Sequence, residues 1–245
     1  MTPPRMRVGV WRGRGVTDYA NQVVRRIAAG LRDAGHTVTP LSHPAEEEEI
    51  ALAQAILLGV GSAELPEAVA QVSPHLRPHH IVLHVLPGET LAALAPARST
   101  GAVVGSLVPL WSGRWAVEYT DELGQAILEL LAGELSGVAV PVSQEKRAAL
   151  ATALSWHRFS QDTLEEADRA MRAAFAGTIV STEMNLEERN NRTTAVLADA
   201  PDLARQFSGI VDPGRARIFA QLARRAAERD GREEVELWAM QEETP

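Results

Sequence analysis

Arg7-Val8-Gly9-Val10-Trp11, followed by Gly13-Arg14-Gly15-Val16, is the stretch on which the fold turns. The first five residues read as a short buried strand, and the glycines that follow read as a turn. Over residues 17–34 the apolar positions Tyr19, Val23, Ile27 and Leu31 recur at steps of four, flanked by Val24 and Ala28. That spacing predicts a helix with one apolar stripe, suited to lie on a sheet. Thr17 or Asp18 can cap its first amides, and Gly35 suits the left-handed position that closes a helix. Residues 36–41 resume as strand. The order strand, glycine turn, helix, strand makes a β-α-β unit of the dinucleotide-binding kind, with an incomplete glycine pattern.

The same alternation continues outward. Residues 55–60 read as a buried strand ending in Gly59-Val60-Gly61-Ser62, before a helix at 66–72. A strand at 80–86 is closed by Pro87-Gly88, a short helix follows at 90–94, and a further strand occupies 102–107. Strands at 115–119 and 137–142 flank a helix at 121–135 that is expected to bury Leu123, Ile127, Leu130 and Leu131. Strands alternating with short helices predict an α/β domain over residues 1–143, a Rossmann-type doubly wound, mainly parallel sheet. Ligands of such sheets bind at the edge where the strands end and the strand order reverses.

From residue 144 the pattern changes to helix, giving an all-helical domain over 144–245. One long helix is expected at 144–175, with Leu150, Leu154, Leu164, Met171 and Phe175 on its main stripe beside His157, Gln161 and Asp168. Ala153, Trp156, Ala167, Ala170 and Ala174 form a second stripe of mostly small residues. Helices at 178–200, 202–207, 215–228 and 233–241 complete the region, with breaks at Pro201 and Asp212-Pro213-Gly214. Ile218, Phe219, Leu222 and Ala226 are expected to form one apolar face. Val235, Leu237, Trp238 and Met240 near the terminus are expected to dock, within the chain or on a second subunit.

Composition removes whole classes of chemistry. The 245 residues contain no cysteine, which excludes disulfides, thiolate catalysis and cysteine-bound metals. No metal-ligand spacing occurs, and no metal site is expected. Glu46–Glu49 are consecutive and cannot all face one ion, so they read as a solvated helix start. His79 and His80 are adjacent and cannot face the same way on a strand. The formal charge of -8 argues against an extended nucleic-acid surface and leaves room for local basic patches, and the longest apolar runs fall far short of a membrane span. Met1-Thr2-Pro3-Pro4-Arg5 lacks the apolar core of a signal peptide behind it, so a cytoplasmic protein is expected.

Several of these stretches together resemble a known family. Residues 55–60 with 63–72, then 79–86, are similar to consecutive elements of 6-phosphogluconate-dehydrogenase-like Rossmann proteins. Val104-Gly105-Ser106-Leu107-Val108-Pro109-Leu110 followed by Trp115-Ala116-Val117-Glu118 resembles a "GSLHPL…AVEG" pattern. That pattern occurs in a poorly characterised branch related to ketopantoate and pyrroline-carboxylate reductases. The resemblance covers residues 7–174 and implies a Rossmann domain with a helical, often dimerising, second domain. It also implies a nicotinamide cofactor, NADP or NAD.

Three departures count against a working cofactor site. Asp18 stands where a third glycine is expected, although Arg12 and Arg14 offer guanidinium groups to phosphate. The end of the second strand, Thr39-Pro40-Leu41-Ser42-His43, holds no acid for an NAD ribose, which tilts the expectation toward NADP. Val108 replaces the histidine of the resembling pattern and can move no proton. Lys146 lies where hydroxyacid dehydrogenases keep a lysine, and otherwise reads as a solvated helix start.

Two functional readings follow. In the first the chain is an NAD(P)-dependent oxidoreductase. Gly13, Arg14, Gly15 and Val16, Gly59, Val60 and Gly61, and Val85 with its followers hold the cofactor, and Ser106 and His157 face the substrate. In the second it is a non-catalytic dimeric binding or scaffold protein without a cofactor. A homodimer and a small-molecule ligand are the expected partners, with neither nucleic acid nor membrane. Asn190-Asn191-Arg192-Thr193-Thr194 reads as a solvated helix face, or else as pocket lining.

Overall fold

The computed structural model describes residues 5–13, 18–174 and 197–243, without the side chains of 18, 162–174, 215 and 243. Arg14, Gly15 and Val16, the caps expected of Thr17 and Asp18, the helix at 178–200 up to residue 196 and the polar cluster 190–194 lie outside this description. Two compact units form, Met1–Leu150 and Ala151–Pro245.

In the first unit Arg7–Arg12 (β1) is buried from Val8 to Trp11. Asp18–Asp33 (α1) buries Ala20, Val23, Val24, Ile27, Ala28 and Leu31, the stripe that its periodicity predicts. Gly35 closes it at φ 95°, and the amides of Gly35 and His36 return to the carbonyls of Arg32 and Leu31. Thr37–Pro40 (β2), Glu47–Leu52 (α2), Ala55–Gly59 (β3), Leu65–Val72 (α3), Ile81–His84 (β4) and Ala95–Ser99 (α4) follow. Val103–Pro109 (β5), Arg114–Tyr119 (β6), Glu122–Glu134 (α5) and Val138–Pro141 (β7) complete the unit.

The seven strands form one sheet in the order β2-β1-β3-β4-β5-β6-β7. Strands β1 to β5 are mutually parallel, β6 is antiparallel to β5, and β7 is parallel to β6. This is the Rossmann-type, mainly parallel sheet. Crossovers through α1 and α3 run in opposite directions along it, so right-handed connections put those helices on opposite faces. Burial on both faces explains why β3 and β4 are buried at every position.

The structure departs from the expectation in several places. β6 runs back antiparallel to β5, a hairpin that the sequence reading did not specify. Residues 110–113 make a tight turn in which Leu110 N donates to Arg114 O at 2.8 Å and Gly113 takes φ 68°. The Ser112-Gly113 pair carried that signal. In α5 the buried residues are Gly124, Leu128, Leu131 and Ala132, while Leu123 and Leu130 are 60% and 57% exposed. That helix is apolar on more than one face. The face that packs is the one where Gly124 lets the backbone approach Tyr119 and Val103. β4 begins after His79-His80 and ends at His84, two residues short of the expected 86. His80 is buried, with its Nδ1 accepting from Arg77 N at 3.0 Å, and His79 is exposed.

The described residues of the second unit form helices: Arg147–Ala174 (α6, which begins in the first unit), Ala200–Ser208 (α7), Pro213–Asp230 (α8) and Glu233–Glu243 (α9). Its core contains Phe159, Leu203, Phe219, Val235 and Trp238. The Phe159 and Phe219 rings meet edge to face with centroids 5.0 Å apart. The buried side of α6 is Ala151, Ser155, Arg158 and Phe159, not the Leu150–Leu154–His157 stripe. Polar partners explain the difference. Ser155 bonds Gln206, and Arg158 pairs with Asp230 at 3.1 Å, so these positions tolerate burial. Val235 and Trp238 dock inside this unit, whereas Ile218, Leu237 and Met240 are 51%, 53% and 44% exposed. Among the described residues no helix is long and apolar enough to cross a membrane.

Candidate functional site

The chain leaves β1 toward β2 on one side and returns to β3 on the other, so strand order reverses between β1 and β3. A crevice at the carboxyl ends of those two strands is where open α/β sheets bind ligands. Arg12 pairs with Gly59, which sets Gly13 beside Gly59, Val60 and Gly61 at this crevice. Leu58 pairs with His84, so Val85 lies level with Gly59 on the next strand. The described glycines and Val85 thus converge on one edge. Val60 and Val85 are 1% and 0% exposed, backbone included, so neither presents a surface to a ligand at this edge.

At Gly59 a side chain has no room. A β-carbon on Gly59 would stand 2.7 Å from Val24 Cγ2 of α1 and 3.3 Å from Trp11 O. The close helix–strand approach expected of a third fingerprint glycine is therefore made at Gly59, from the strand side. A β-carbon on Gly13 would collide with the Glu64 carboxylate at the start of α3.

An acid does stand at the end of β2. Glu49, in the first turn of α2, reaches back so that its Oε2 accepts from Ser42 Oγ at 2.6 Å and from Ser42 N at 2.9 Å. Glu46 N also donates to it at 3.4 Å, closing a capping box. The Ser42 hydroxyl, then the Ser42 amide, hold the Glu49 carboxyl below the usual carboxylate range. The expectation of an acid-free strand end is thereby corrected. The strand sequence has none, and the following helix supplies it. Next to it, His43 meets the Trp11 ring edge on, with centroids 4.4 Å apart.

A second polar group lies two strands away. Register pairs His84 of β4 with Ser106 of β5, and Ser106 with Glu118 of β6, so the three side chains share one face of the sheet. All three are buried. Arg147, at the start of α6, completes the group with its guanidinium 0% exposed. Its Nη2 donates to Leu86 O at 2.6 Å, its Nε donates to Glu89 O at 3.0 Å, and its Nε lies 3.5 Å from Glu118 Oε2. His84 Nδ1 accepts from Leu86 N at 3.2 Å, so the neutral ring carries its hydrogen on Nε2.

Burial dominates the electrostatics of this row. It pushes His84 down to about 3, helped by the Arg147 charge. It raises Glu118 above the usual carboxylate range, against the opposing pull of Arg147. It lowers Arg147, against the support of Glu118, Tyr19 and Glu89. His84 Nε2, Ser106 Oγ, Glu118 Oε2 and Arg147 Nη1 have no hydrogen-bond partner among the described residues.

Ser106, expected at a substrate cleft, is thus in a polar group, but with neighbours that the sequence did not single out. Lys146 is exposed, and it is the next residue, Arg147, that turns inward. A histidine ending an apolar strand and a glutamate inside Trp115-Ala116-Val117-Glu118-Tyr119 were the available signals. His157 lies in the second unit and is exposed, not enclosed in the helical core. No group of three or more His, Asp or Glu suited to a metal ion occurs among the described residues.

Comparison with known proteins bears on both units. Residues 143–242 match the 6-phosphogluconate dehydrogenase C-terminal domain-like family. No curated protein matches the chain in sequence. Among solved structures, a pyrroline carboxylate reductase from Plasmodium falciparum with NADP bound is similar at a TM-score of 0.58 and 12% identity, over 97% of each chain. A semialdehyde dehydrogenase NAD-binding protein from Cupriavidus necator, in complex with calcium and NAD, gives 0.53 and 12%, over 97% of this chain and 99% of its own. A pyrroline-5-carboxylate reductase from Coxiella burnetii gives 0.52 and 12%, over 98% and 96%. At such identities the likeness is one of fold. It agrees with the 6-phosphogluconate-dehydrogenase-like resemblance read from the sequence.

Proposed function

We propose that the chain is an NAD(P)-dependent oxidoreductase whose nucleotide lies in the crevice between β1 and β3. The observation that carries this reading is the convergence of Gly13 and Gly59–Gly61 on the point where strand order reverses. Gly59 lets α1 pack close on β3 at Val24, the helix–strand approach that a dinucleotide-binding turn uses. The residues fit a dinucleotide at its ribose end as well, where Glu49 and Ser42 sit past β2. Glu64 beside Gly13 is a charge that opposes a diphosphate. Similar folds that hold NADP or NAD lend further support.

Glu49 also bears on the choice between the two nucleotides. A carboxylate held in its charged form accepts a ribose hydroxyl and repels a 2′-phosphate, so NAD is favoured over NADP. When bound, the nicotinamide supplies or accepts hydride. The chain's own residues orient it and keep the edge of the sheet dry. Thermal-shift titration with NAD, NADH, NADP and NADPH tests the reading. Ligand at about a hundred times its Kd adds roughly 2.7 kcal/mol, a readily visible rise in melting temperature. NAD or NADH is expected to give that rise at lower concentration than its phosphorylated counterpart. No rise with any of the four would remove the reading.

We also propose that the helical unit pairs with a second copy of the chain. Ile218, Leu237 and Met240 expose apolar side chains on helices whose other faces are already packed. Sedimentation of the chain as a dimer, shifting to monomer when Ile218 and Leu237 are both changed to Asp, is the expected result. A monomeric parent chain would refute it.

A further inference from the structure

We propose that the Glu64 side chain is a gate on the nucleotide crevice, its carboxylate holding the anion seat at Gly13 until a diphosphate displaces it. The carboxylate lies against the Gly13 backbone. A β-carbon at Gly13 would collide with Glu64 Oε2 and stand 2.9 Å from Cδ and 3.2 Å from Oε1. Oε2 is shielded from solvent, although the residue as a whole is half-buried. The chain itself thus brings an anion to the edge where the strands end. A carboxylate oxygen and a phosphate oxygen are acceptors of the same kind and charge, so one can stand in for the other. Arg12, which ends β1 next to Gly13, has a shielded Nε without an acceptor among the described residues, a donor that an incoming phosphate can use.

The fold fixes the backbone of this residue and leaves its side chain to move. The amides of Glu64 and Leu65 both donate to Gly61 O, at 3.1 and 3.0 Å, and Glu64 O accepts from Ala68 N at 3.0 Å. Glu64 therefore stands at the N-cap of α3, yet its side chain makes no capping bond. It reaches across to the end of β1 instead. Rotation about its own χ angles clears Gly13 with no change of backbone. Exchanging this anion for a diphosphate costs the work of moving aside a like charge, so the gate lowers affinity without abolishing it. Gly13→Val differs from this arrangement, because it puts a fixed side chain where Glu64 puts a movable one. Calling the incoming diphosphate a nicotinamide dinucleotide rests on the nucleotide reading above.

Calorimetric titration of the full chain with NADH and with sodium pyrophosphate tests the gate in the parent, Glu64→Ala, Glu64→Gln and Glu67→Gln. Glu67 is an exposed acid in the first turn of α3 and controls for net charge. Glu64→Ala removes the side chain, and Glu64→Gln keeps its size without its charge. Both are expected to bind NADH and pyrophosphate at least about tenfold more tightly than the parent, as removal of a nearby like charge predicts. Their melting temperatures are expected to match the parent's, since the side chain caps nothing. Glu67→Gln is expected to change little. Weaker NADH binding in both Glu64 variants, or an equal gain in Glu67→Gln, would overturn the gate. If the parent binds NADH and the Glu64 variants bind it equally, this inference fails while the nucleotide reading stands. If neither the parent nor any variant binds NADH, the nucleotide reading fails and the gate falls with it.

Discussion

Arg147→Met is expected to lower the stability of the first unit by about 3–5 kcal/mol, the loss that follows when one partner of a buried ion pair is removed. Glu118 would be left buried with its Leu91 amide contact at 3.5 Å, and the carbonyls of Leu86 and Glu89 would lose their donor. Adding Glu118→Gln should recover much of the loss, because the uncompensated charge is then gone. In the single variant the Glu118 carboxyl would titrate higher still in the folded state than in the unfolded chain. A group raised in this way favours the fold at low pH and loses that contribution as pH rises through its folded value. The defect should therefore be larger at pH 8 than at pH 5. Urea unfolding measures it through the midpoint, given an unchanged slope. A loss below about 1 kcal/mol would mean that the pair is solvated and that the row is not the low-dielectric site described.

Acid should destabilise the same unit through His84. The ring is held neutral in the fold, with its value pushed down to about 3 from an ordinary 6.5. The folded state thus resists a proton that the unfolded chain accepts. The stabilisation is present above pH 6.5 and is lost as pH falls toward the folded value. Between pH 7 and pH 5 the expected loss is roughly 2 kcal/mol. His84→Gln keeps a polar group of similar reach and removes the titration. The difference in urea stability between parent and variant should then narrow by that amount across the same interval. Parallel profiles would show that His84 is not sealed from water.

Much of the sheet was legible in the sequence because its signals are local. The Val23–Ile27–Leu31 stripe, Gly35 as a closing residue and the apolar runs at 55–60 and 81–86 each depend on neighbours a few residues apart. The hairpin between β5 and β6 was missed because its turn, Trp111-Ser112-Gly113, sits inside a stretch otherwise read by resemblance. In α5 and α8 the apolar residues outnumber what one face can bury. Periodicity alone therefore placed Leu123, Leu130 and Ile218 inside when they face outward. Packing at Gly124, and the small residues Ala220, Ala223 and Ala227 on α8, decided the face instead.

The site divides along the same line. Gly13 and Gly59–Gly61 could be read because they end strands, and the rule for parallel sheets brings strand ends together. Glu49 could not be found by inspecting the end of β2, since it arrives from the next helix and is aimed by Ser42. Its spacing from Glu46 was the available clue, and it was read only as a solvated helix start. The row of His84, Ser106 and Glu118 depends on strand register. A one-residue slip of any strand would turn its member to the other face. Arg147 was passed over for Lys146 because a helix-start pair gives no sign of which residue turns inward.

The central claim is that the crevice between β1 and β3 holds a dinucleotide. Calorimetric titration of NADH into the parent chain and into Gly13→Val tests it most directly. The branched side chain would collide with the Glu64 carboxylate and displace it beside the crevice. The account predicts one site per parent chain and at least about a tenfold loss in the variant, which is 1.4 kcal/mol of binding. The variant's melting curve should remain cooperative. No heat of binding with the parent chain, or equal affinity in a folded Gly13→Val, would contradict it.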